Sequence, residues 1–335
     1  RSIMKFPILQ SVFSPEELKK IICDRYKSLG KIQLLRLFVD SLNTTYILKT
    51  MKASYYLRVY TYAWRSKNEI ESEIDLLLFL AKKDIPVSVP IKDDDGRTLQ
   101  IIPMPEGDRF IVLFSEAKGS VQKMNFKRSY EYGKLVAQIH KCTANYPYDN
   151  RRFEINLDHL IEKPLQNLNV TFPERENDLA YLNSVGQELS KKIKDQLAKS
   201  KSEYGICHGD HHGWNVHFNE KGEMTLFDFD CFGYGWRAYD NAVFLWSHSV
   251  PYWSKQTKSN RTKLWNKFLK GYSEILDYPD DEIKYSYIFV PIRHIWLLGL
   301  HSGLQPRLGS QWMNDHYFAS HIDFIKRWVK EYKVI

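Results

Sequence analysis

The chain has 335 residues, 43% of them hydrophobic, and a formal net charge of +8. This length suits two lobes or domains, and the apolar content can supply real cores, so we expect a globular chain. No apolar run reaches the roughly 18 to 20 residues of a membrane-spanning helix, and the first residues lack the apolar core of a signal peptide. We therefore expect a soluble protein with no membrane partner.

The four cysteines are widely spaced and form no CxxC pair: Cys23, Cys142, Cys207 and Cys231. This spacing argues against a disulfide framework and a zinc ribbon, and it predicts a cytoplasmic location. Basic residues are interleaved with acidic ones along the chain, which does not favour nucleic acid as a partner. Anionic ligands such as nucleotide phosphates are compatible with the positive charge.

The first predicted element is a helix in "FSPEELKKII". Ser14 is its expected N-cap, Pro15 takes the first helical position, and Glu17 would complete a capping box with Ser14. Phe13 is spaced to pack on Leu18 across this cap. These signals predict a well-defined helix start.

Strand patterns follow. "KIQLLRLFV" and "TTYILKT" flank the short turn "DSLN", and "YYLRVYTY" is a third β-rich run. The segment 68–83, "NEIESEIDLLLFLAKK", has apolar residues at helical spacing, which predicts an amphipathic helix. "VSVPI", "LQIIPM" and "FIVLFSEAKG" are expected to complete the strand set.

Helices dominate after about residue 120, as in "FKRSYEYGKLVAQIHKCT" and residues 176–199. The exceptions are "GICHGD", "NVHFN" and "EMTLFDFD", which are short apolar strands. This order is typical of a two-lobed, protein kinase-like α+β fold. We expect a small antiparallel-sheet lobe with one main helix over 1–113, a hinge over 114–119, and a larger, mostly helical lobe over 120–335.

The segment "HGDHHGWN" (208–215) carries the main functional signal. Phosphoryl transfer to a hydroxyl needs a carboxylate to receive the proton and oxygen ligands for magnesium. Asn215 follows Asp210 by five residues, and Asp228 follows Asn215 by 13, a gap that two short strands and a turn would fill. We therefore predict Asp210 as the catalytic base, with Asn215 and Asp228 as Mg²⁺ ligands.

Zinc is the alternative for this segment, because five ligand-type residues lie within eleven positions: Cys207, His208, His211, His212 and His217. Two glycines make the segment a poor helix, whereas HxxxH sites usually present both rings on one helix face. His208 is expected instead to orient the backbone near Asp210.

The stretch "HGDHHGWNVHFNEKGEMTLFDFDCFGYGWRAYDNA" resembles the catalytic segment of the aminoglycoside phosphotransferase and choline kinase-like superfamily, most closely its homoserine kinase-like and stress-response kinase-like members. The resemblance implies MgATP as donor, a hydroxyl as acceptor, and the roles predicted above for Asp210, Asn215 and Asp228. Asp240 matches an aspartate that is mainly structural in the family, and we expect it to cap a helix N-terminus. His140 matches a family helix histidine and is expected to pack.

Candidate nucleotide ligands lie in the first 120 residues. Arg58 stands where protein kinases carry a lysine, and its guanidinium can bind phosphate through two hydrogen bonds. Its expected partner is Glu73, with Glu69 one turn earlier as the alternative, and a surface ion pair without nucleotide binding stays open. Tyr56 lies on the same strand face and is expected beside the adenine.

The turn "DSLNTTY" has no glycine, unlike the phosphate-covering loop of protein kinases. Asn43 and the backbone amides of residues 41–44 are the candidates for that contact. The connector "LFSEAKG" resembles the family hinge, so the backbone groups of Phe114, Ser115 and Glu116 are expected to bind adenine.

The acceptor is the least determined part of the reaction. Residues 231–335 carry 14 Lys/Arg and 9 Asp/Glu, which does not favour a polycationic antibiotic. Trp246, Trp253 and Trp296 could cage a quaternary ammonium or belong to the core. Four residues are candidate acceptor ligands: Asp230, Arg293, His294 and Trp296.

These patterns together predict an ATP- and Mg²⁺-dependent phosphotransferase that acts on a hydroxyl of a small metabolite, such as an amino acid or amino alcohol. A Ser/Thr protein kinase, an antibiotic phosphotransferase and a nucleotide-binding pseudokinase are the alternatives. We expect a monomer or homodimer.

Overall fold

The computed structural model describes residues 7–200, 203–251 and 253–335. The chain divides into two compact units. The first contains the described residues up to Gly119 together with Thr225–Asp230, and the second contains those of Ser120–Met224 and Cys231–Ile335. None of the helices in the described ranges is long and apolar enough to cross a membrane.

The elements of the first unit are α1 (Pro15–Arg25), β1 (Ile32–Asp40), β2 (Thr44–Thr50), β3 (Ser54–Val59), α2 (Lys67–Lys82), β4 (Leu99–Met104) and β5 (Gly107–Ser115). The five strands form an antiparallel sheet in the order β1-β2-β3-β5-β4. Leu18 and Ile22 of α1 are buried in one apolar cluster with Tyr46, Leu57 and Leu113 of the sheet. The predicted antiparallel sheet and its main helix are confirmed.

Two local predictions in this unit are wrong. Ser14 is the N-cap of α1, but its side chain makes no capping bond and its hydroxyl donates to Glu16 instead. The capping box lies at α2, where Ser66 accepts from the Glu69 amide and Glu69 accepts from the Ser66 amide. The run "VSVPI" forms isolated bridges and no strand, because Pro86 and Pro90 flank and end it and neither can donate to a sheet ladder.

The second unit is mostly helical. Its elements are α3 (Phe126–Cys142), β6 (Glu154–Ile155), α4 (Lys163–Thr171), α5 (Glu176–Gln196), β7 (Tyr204–Cys207), β8 (Val216–Phe218), β9 (Met224–Leu226), β10 (Gly233–Trp236), α6 (Arg237–Ser247), α7 (Lys258–Ser273), α8 (Asp280–Leu308) and α9 (Asp315–Tyr332). Strands β6, β10 and β7 form one small sheet, and β8 pairs with β9. The division between the two units falls within β9.

Helix α8 is the main support of the second unit. It runs for 29 residues and is buried on nearly all sides over its middle, from Ile288 to Leu298. A helix that is apolar all round is expected only where other elements cover it. This helix therefore brings Arg293 into the interior of the unit, where the candidate site lies.

Candidate active site

The Asp210 loop begins at a position that only glycine can occupy. Gly209 has φ of +80°, and a Cβ there would lie 2.2 Å from the carbonyl oxygen of Cys231. A side chain would meet both a left-handed backbone and a direct clash. The chain can therefore turn sharply after β7 and present Asp210 at the start of the loop.

Asp240 holds the backbone at the start of this loop through hydrogen bonds. It lies in the first turn of α6, is 1% exposed, and accepts hydrogen bonds from the backbone amides of His208 (3.0 Å) and Gly209 (2.8 Å). The His140 ring lies 2.9 Å from the same carboxylate. The predicted N-cap role is wrong, because Trp236 is the N-cap and the carboxylate points to the loop instead.

These contacts keep Asp240 ionised. Burial by itself would raise its pKa, but nearby His211 and the hydrogen bond from His140 outweigh burial and leave the pKa below its usual value. Burial also lowers the pKa of His140 and His211. A fixed buried carboxylate thus determines the backbone path through His208 and Gly209.

Asp210 itself has two different neighbours. Its Oδ1 accepts a hydrogen bond from Arg293, whose side chain is 2% exposed, whereas the Asp210 side chain is 20% exposed. Its Oδ2 lies 3.6 Å from Nε2 of His212. The Arg293 guanidinium is held in turn over the rings of Trp246 and Trp296, at 4.8 and 4.1 Å from their centroids.

Asn215 is oriented by the same loop. Its amide nitrogen donates to the backbone carbonyl of Asp210 at 2.9 Å, and the residue is 6% exposed. Because the nitrogen is engaged, Oδ1 is the side-chain atom left to accept a ligand. The structure therefore brings Asp210 and Asn215 together, and it adds Arg293 to them.

The loop histidines do not converge on a zinc site. His208 Nδ1 accepts from the Asp210 amide at 3.2 Å, as expected for a residue that orients this backbone. Within the described ranges, one group of possible metal ligands has its atoms within 4.8 Å of one another, namely His140, Cys207 and Asp240. The first and last are bonded to each other, the Cys207 thiol lies 3.4 Å from the Trp236 carbonyl, and burial raises its pKa. These contacts explain the group as a hydrogen-bonded core.

The first unit holds a second charged group, centred on Arg58. The guanidinium pairs with Glu73 at 2.9 Å and with Asp228 at 2.8 Å. Glu73 also accepts from the Tyr60 hydroxyl at 2.9 Å. The expected Arg58–Glu73 pair is present, the alternative Glu69 belongs to the α2 capping box, and the pairing of Arg58 with Asp228 was not anticipated.

Asp228 and Asp230 have different environments. Asp228 has φ of +64°, rare for a residue with a side chain, and its side chain is 45% exposed. Asp230 is 2% exposed and accepts from Trp64 at 2.7 Å, Arg65 at 3.2 Å and Asn43 at 3.2 Å. The expectation that Asp230 contacts the acceptor is revised, because its carboxylate is buried among these donors.

Asn43 is also engaged inside the first unit. Its carbonyl oxygen accepts from the Thr61 amide at 3.0 Å while its nitrogen binds Asp230. The expected phosphate contact of its side chain is therefore revised as well: the side chain fixes the turn. Tyr56 packs edge-on against Phe38, with ring centroids 5.4 Å apart.

The three connector positions differ in how their backbone is used. Phe114 pairs with Tyr56 in the sheet, and Ser115 donates to and accepts from other residues of the first unit. Glu116 follows the end of β5, and its backbone makes no hydrogen bond to another residue in the described part of the chain.

Two acceptor candidates on α8 are committed to the core of the second unit. His294 is bonded to Trp246 at 3.1 Å and lies 3.0 Å from His321. Trp296 donates to His159 at 3.1 Å and covers Arg293. The expectation that Arg293 and His294 meet a substrate carboxylate is revised, since Arg293 holds Asp210.

The role of Arg293 in holding Asp210 is the feature that sequence reasoning missed. The two residues are 83 positions apart, and no local pattern links them. An arginine in the middle of an otherwise apolar helix was the available signal, because a buried guanidinium requires an anionic partner.

Three known proteins are similar to this chain over most of its length. A protein of Deinococcus radiodurans is 29% identical over 328 residues, covering 98% of this chain and 93% of its own length. Amicoumacin kinase of Bacillus subtilis is 26% identical over 305 residues, covering 87% and 86%. The solved structure of a microcompartment-associated aminopropanol kinase, 20% identical, superposes with a TM-score of 0.79 over 96% of this chain and 99% of its own.

The fold is thus the α+β protein kinase-like fold, as the sequence predicted. The model of the phosphotransferase enzyme family matches residues 35–262. The chain belongs to the phosphotransferase enzyme family, whose members transfer phosphate to hydroxyl groups.

Proposed function

We propose that this protein transfers the γ-phosphate of ATP to a hydroxyl of a small metabolite such as an amino acid or amino alcohol, with Asp210 as catalytic base and Mg²⁺ as metal. The observation that carries this proposal is the Asp210 carboxylate, which is 20% exposed, accepts a hydrogen bond from buried Arg293 at Oδ1, and has its Oδ2 3.6 Å from His212. A positioned carboxylate of this kind can receive the proton of the attacking hydroxyl.

Arg293 prepares Asp210 for this role. The guanidinium binds Oδ1 and compensates the carboxylate charge, while Oδ2 faces His212. The backbone nitrogen of Trp214 donates to Nδ1 of His212 at 3.3 Å, so Nε2 is the protonated nitrogen and is the one directed at Asp210. The hydrogen bond from Arg293 thus orients the carboxylate before any acceptor arrives, and the His212 N–H lies close to its second oxygen.

Asn215 and Asp228 are the proposed magnesium ligands, each judged by its own side-chain chemistry. Asn215 offers its Oδ1, because its amide nitrogen is hydrogen-bonded. Asp228 offers a carboxylate that is 45% exposed. Amide and carboxylate oxygens are ligands that magnesium prefers. When bound, Mg²⁺ neutralises charge on the transferring phosphate. The protein itself orients the Asp228 carboxylate through the left-handed backbone conformation of that residue and through its ion pair with Arg58.

The first unit supplies the proposed nucleotide ligands. Arg58 is held by Glu73, which is itself held by Tyr60, so the guanidinium has a defined position from which to bind phosphate. Glu116 offers an unpaired backbone beyond β5 as the proposed adenine contact, and Tyr56 stays the proposed neighbour of the ring.

An antibiotic phosphotransferase is the second candidate. The observation that favours it is the similarity to amicoumacin kinase over 87% of this chain. The chemistry at Asp210 would be the same, and only the acceptor would differ.

The test is an acceptor panel scored for ADP release in the presence of ATP and Mg²⁺. The panel contains 1-amino-2-propanol, serine, homoserine and amicoumacin, and it is run with wild type, Asp210→Asn and Asp323→Asn, an exposed carboxylate of α9 used as the matched control. We expect Asp210→Asn to lower turnover of the active acceptor by about 10²- to 10⁴-fold, the usual range for a general base. Equal turnover by wild type and Asp210→Asn would show that Asp210 is not the base.

A further inference from the structure

A cavity of about 300 Å³ lies inside the second unit, next to the Asp210 loop. Three segments form its wall: residues 121–124, residues 212–214, and the stretch that follows α6. The volume is at the lower end of the range typical for small-molecule pockets. The residues proposed above as base, metal ligands and nucleotide ligands do not line this cavity. His212, the neighbour of Asp210, does line it.

His212 connects this cavity to the reacting group. It lines the cavity, and its Nε2 lies 3.6 Å from Oδ2 of Asp210. A molecule in the cavity would therefore lie one side chain away from the proposed base. That distance allows a hydroxyl on the molecule to reach past His212 to Asp210.

Two indole rings form the aromatic part of the wall, beside Val121 and Met124. Trp214 is 61% exposed and Trp253 is 36% exposed, and their ring centroids lie 6.1 Å apart with planes tilted by 31°. Large aromatic surfaces left accessible at a concave site favour a ligand with an apolar face. The rings are too close together for a third ring to fit between them, so a flat group would lie across their accessible faces.

The charged side chains of the wall are lysines. Lys123, Lys255, His212 and His248 line the cavity, and among its described lining residues there is no aspartate or glutamate. Neither lysine forms an ion pair with a residue in the described ranges. Accessible lysines without a carboxylate partner attract anions and repel cationic ligands.

We propose that this cavity binds the acceptor, and that it selects hydroxylated carboxylic acids that carry an aromatic ring. The ring lies on Trp214 and Trp253, the carboxylate meets Lys123 or Lys255, and the hydroxyl is directed past His212 to Asp210. This inference rests on the proposed phosphotransferase function and narrows its acceptor from small metabolites in general to aromatic hydroxy acids. Polycationic acceptors are disfavoured by the same charges.

The test measures binding separately from turnover. Ligand-observed NMR titrations of the whole chain, without nucleotide, compare 3-phenyllactate with three other compounds: lactate has no ring, 3-phenyl-1-propanol has no carboxylate, and 1-amino-2-propanol lacks both and carries a cation. We expect 3-phenyllactate to bind about fivefold more tightly than lactate or 3-phenyl-1-propanol, since one ring contact or one ion pair contributes about 1 kcal/mol, and more tightly still than 1-amino-2-propanol.

Two variants identify the cavity as the site. Trp214→Ala and Lys255→Glu replace exposed side chains of the wall, and each is expected to weaken 3-phenyllactate binding by about tenfold. Lys267→Glu, on the exposed face of α7, is the matched control and leaves the affinity unchanged.

The outcomes separate this inference from the proposed function. Equal affinities for 3-phenyllactate and 1-amino-2-propanol, or affinities that neither wall variant changes, would overturn the aromatic-acid pocket even if ADP release still depended on Asp210. The expected binding pattern without ADP release from any acceptor would support the pocket and overturn the phosphotransferase proposal.

Discussion

Asp228 and Asp230 differ by two positions in the chain and have opposite environments. The Asp228 side chain is 45% exposed and pairs with Arg58, whereas Asp230 is 2% exposed and accepts hydrogen bonds from Trp64, Arg65 and Asn43. The second unit repeats the contrast, with Asp210 partly exposed and Asp240 buried under the loop. In each unit, one carboxylate is partly accessible and the other is buried among hydrogen-bond donors.

The largest difference expected between Asp228 and Asp230 is in their contribution to folding stability. Asp230→Asn removes the charge that compensates buried Arg65, and breaking a buried ion pair costs about 3 to 5 kcal/mol. Asp228→Asn, the matched control, changes a carboxylate that is 45% exposed, and Arg58 keeps its pair with Glu73, so the expected cost is less than about 1 kcal/mol. Urea unfolding of both variants measures this difference in the free energy of unfolding.

Similar losses for the two variants would show that burial does not separate the two carboxylates. The same samples can be titrated with ATP at several Mg²⁺ concentrations. A magnesium dependence that Asp228→Asn leaves intact would remove Asp228 from the metal site.

The next prediction concerns catalytic turnover and Arg293, a buried residue that binds the partly exposed Asp210. Arg293→Lys keeps the charge but loses the planar fork that binds Asp210 while stacking on Trp246 and Trp296. We expect kcat to fall by about 10- to 100-fold, since a charge-assisted hydrogen bond contributes about 1.5 to 3 kcal/mol. The KM for ATP should not change, because the proposed nucleotide ligands Arg58, Tyr56 and Glu116 belong to the first unit. A raised KM for ATP with unchanged kcat would contradict a role in positioning Asp210.

Periodicity and spacing predicted much of this molecule. Alternating apolar residues identified the strands of the first sheet, and the 3.6-residue period placed α2 within one residue of its observed bounds. The steps from Asp210 to Asn215 and Asp228 depend only on a loop and a hairpin, which are local structures. Those residues could therefore be named from the sequence.

The residues that hold these groups could not be named, because their contacts are long-range. Arg293 is 83 positions from Asp210, and Arg58 is 170 positions from Asp228. Local signals also fail when side chains compete: Ser14 and Ser66 both precede a glutamate by three positions, but the Ser14 hydroxyl binds Glu16 and only Ser66 forms the capping box. Such choices depend on the packed chain and not on the motif.

The smallest expected effect concerns buried histidines, and it extends the comparison from buried carboxylates to buried bases. Burial lowers the pKa of His301 to about 4 and that of His321 to about 3, and Arg293 adds to the first shift and His301 to the second. Both histidines bind a proton near pH 6.5 when the chain is unfolded. Stability is therefore complete above pH 6.5 and falls as the pH drops towards 4 and then 3, by up to about 1.4 kcal/mol per histidine for each pH unit.

His301→Gln tests this assignment, because glutamine can still bond to Tyr317 but cannot take up the proton. The free energy of unfolding measured between pH 6.5 and 4.5 should fall less steeply in the variant than in the wild type. Carboxylates such as Glu106, whose pKa is lowered to about 2, contribute only below about pH 4.5 and do not obscure this window. Parallel slopes for the two proteins would mean that His301 takes up its proton as readily in the folded chain as in the unfolded one, and that burial among aromatic rings does not keep this base neutral.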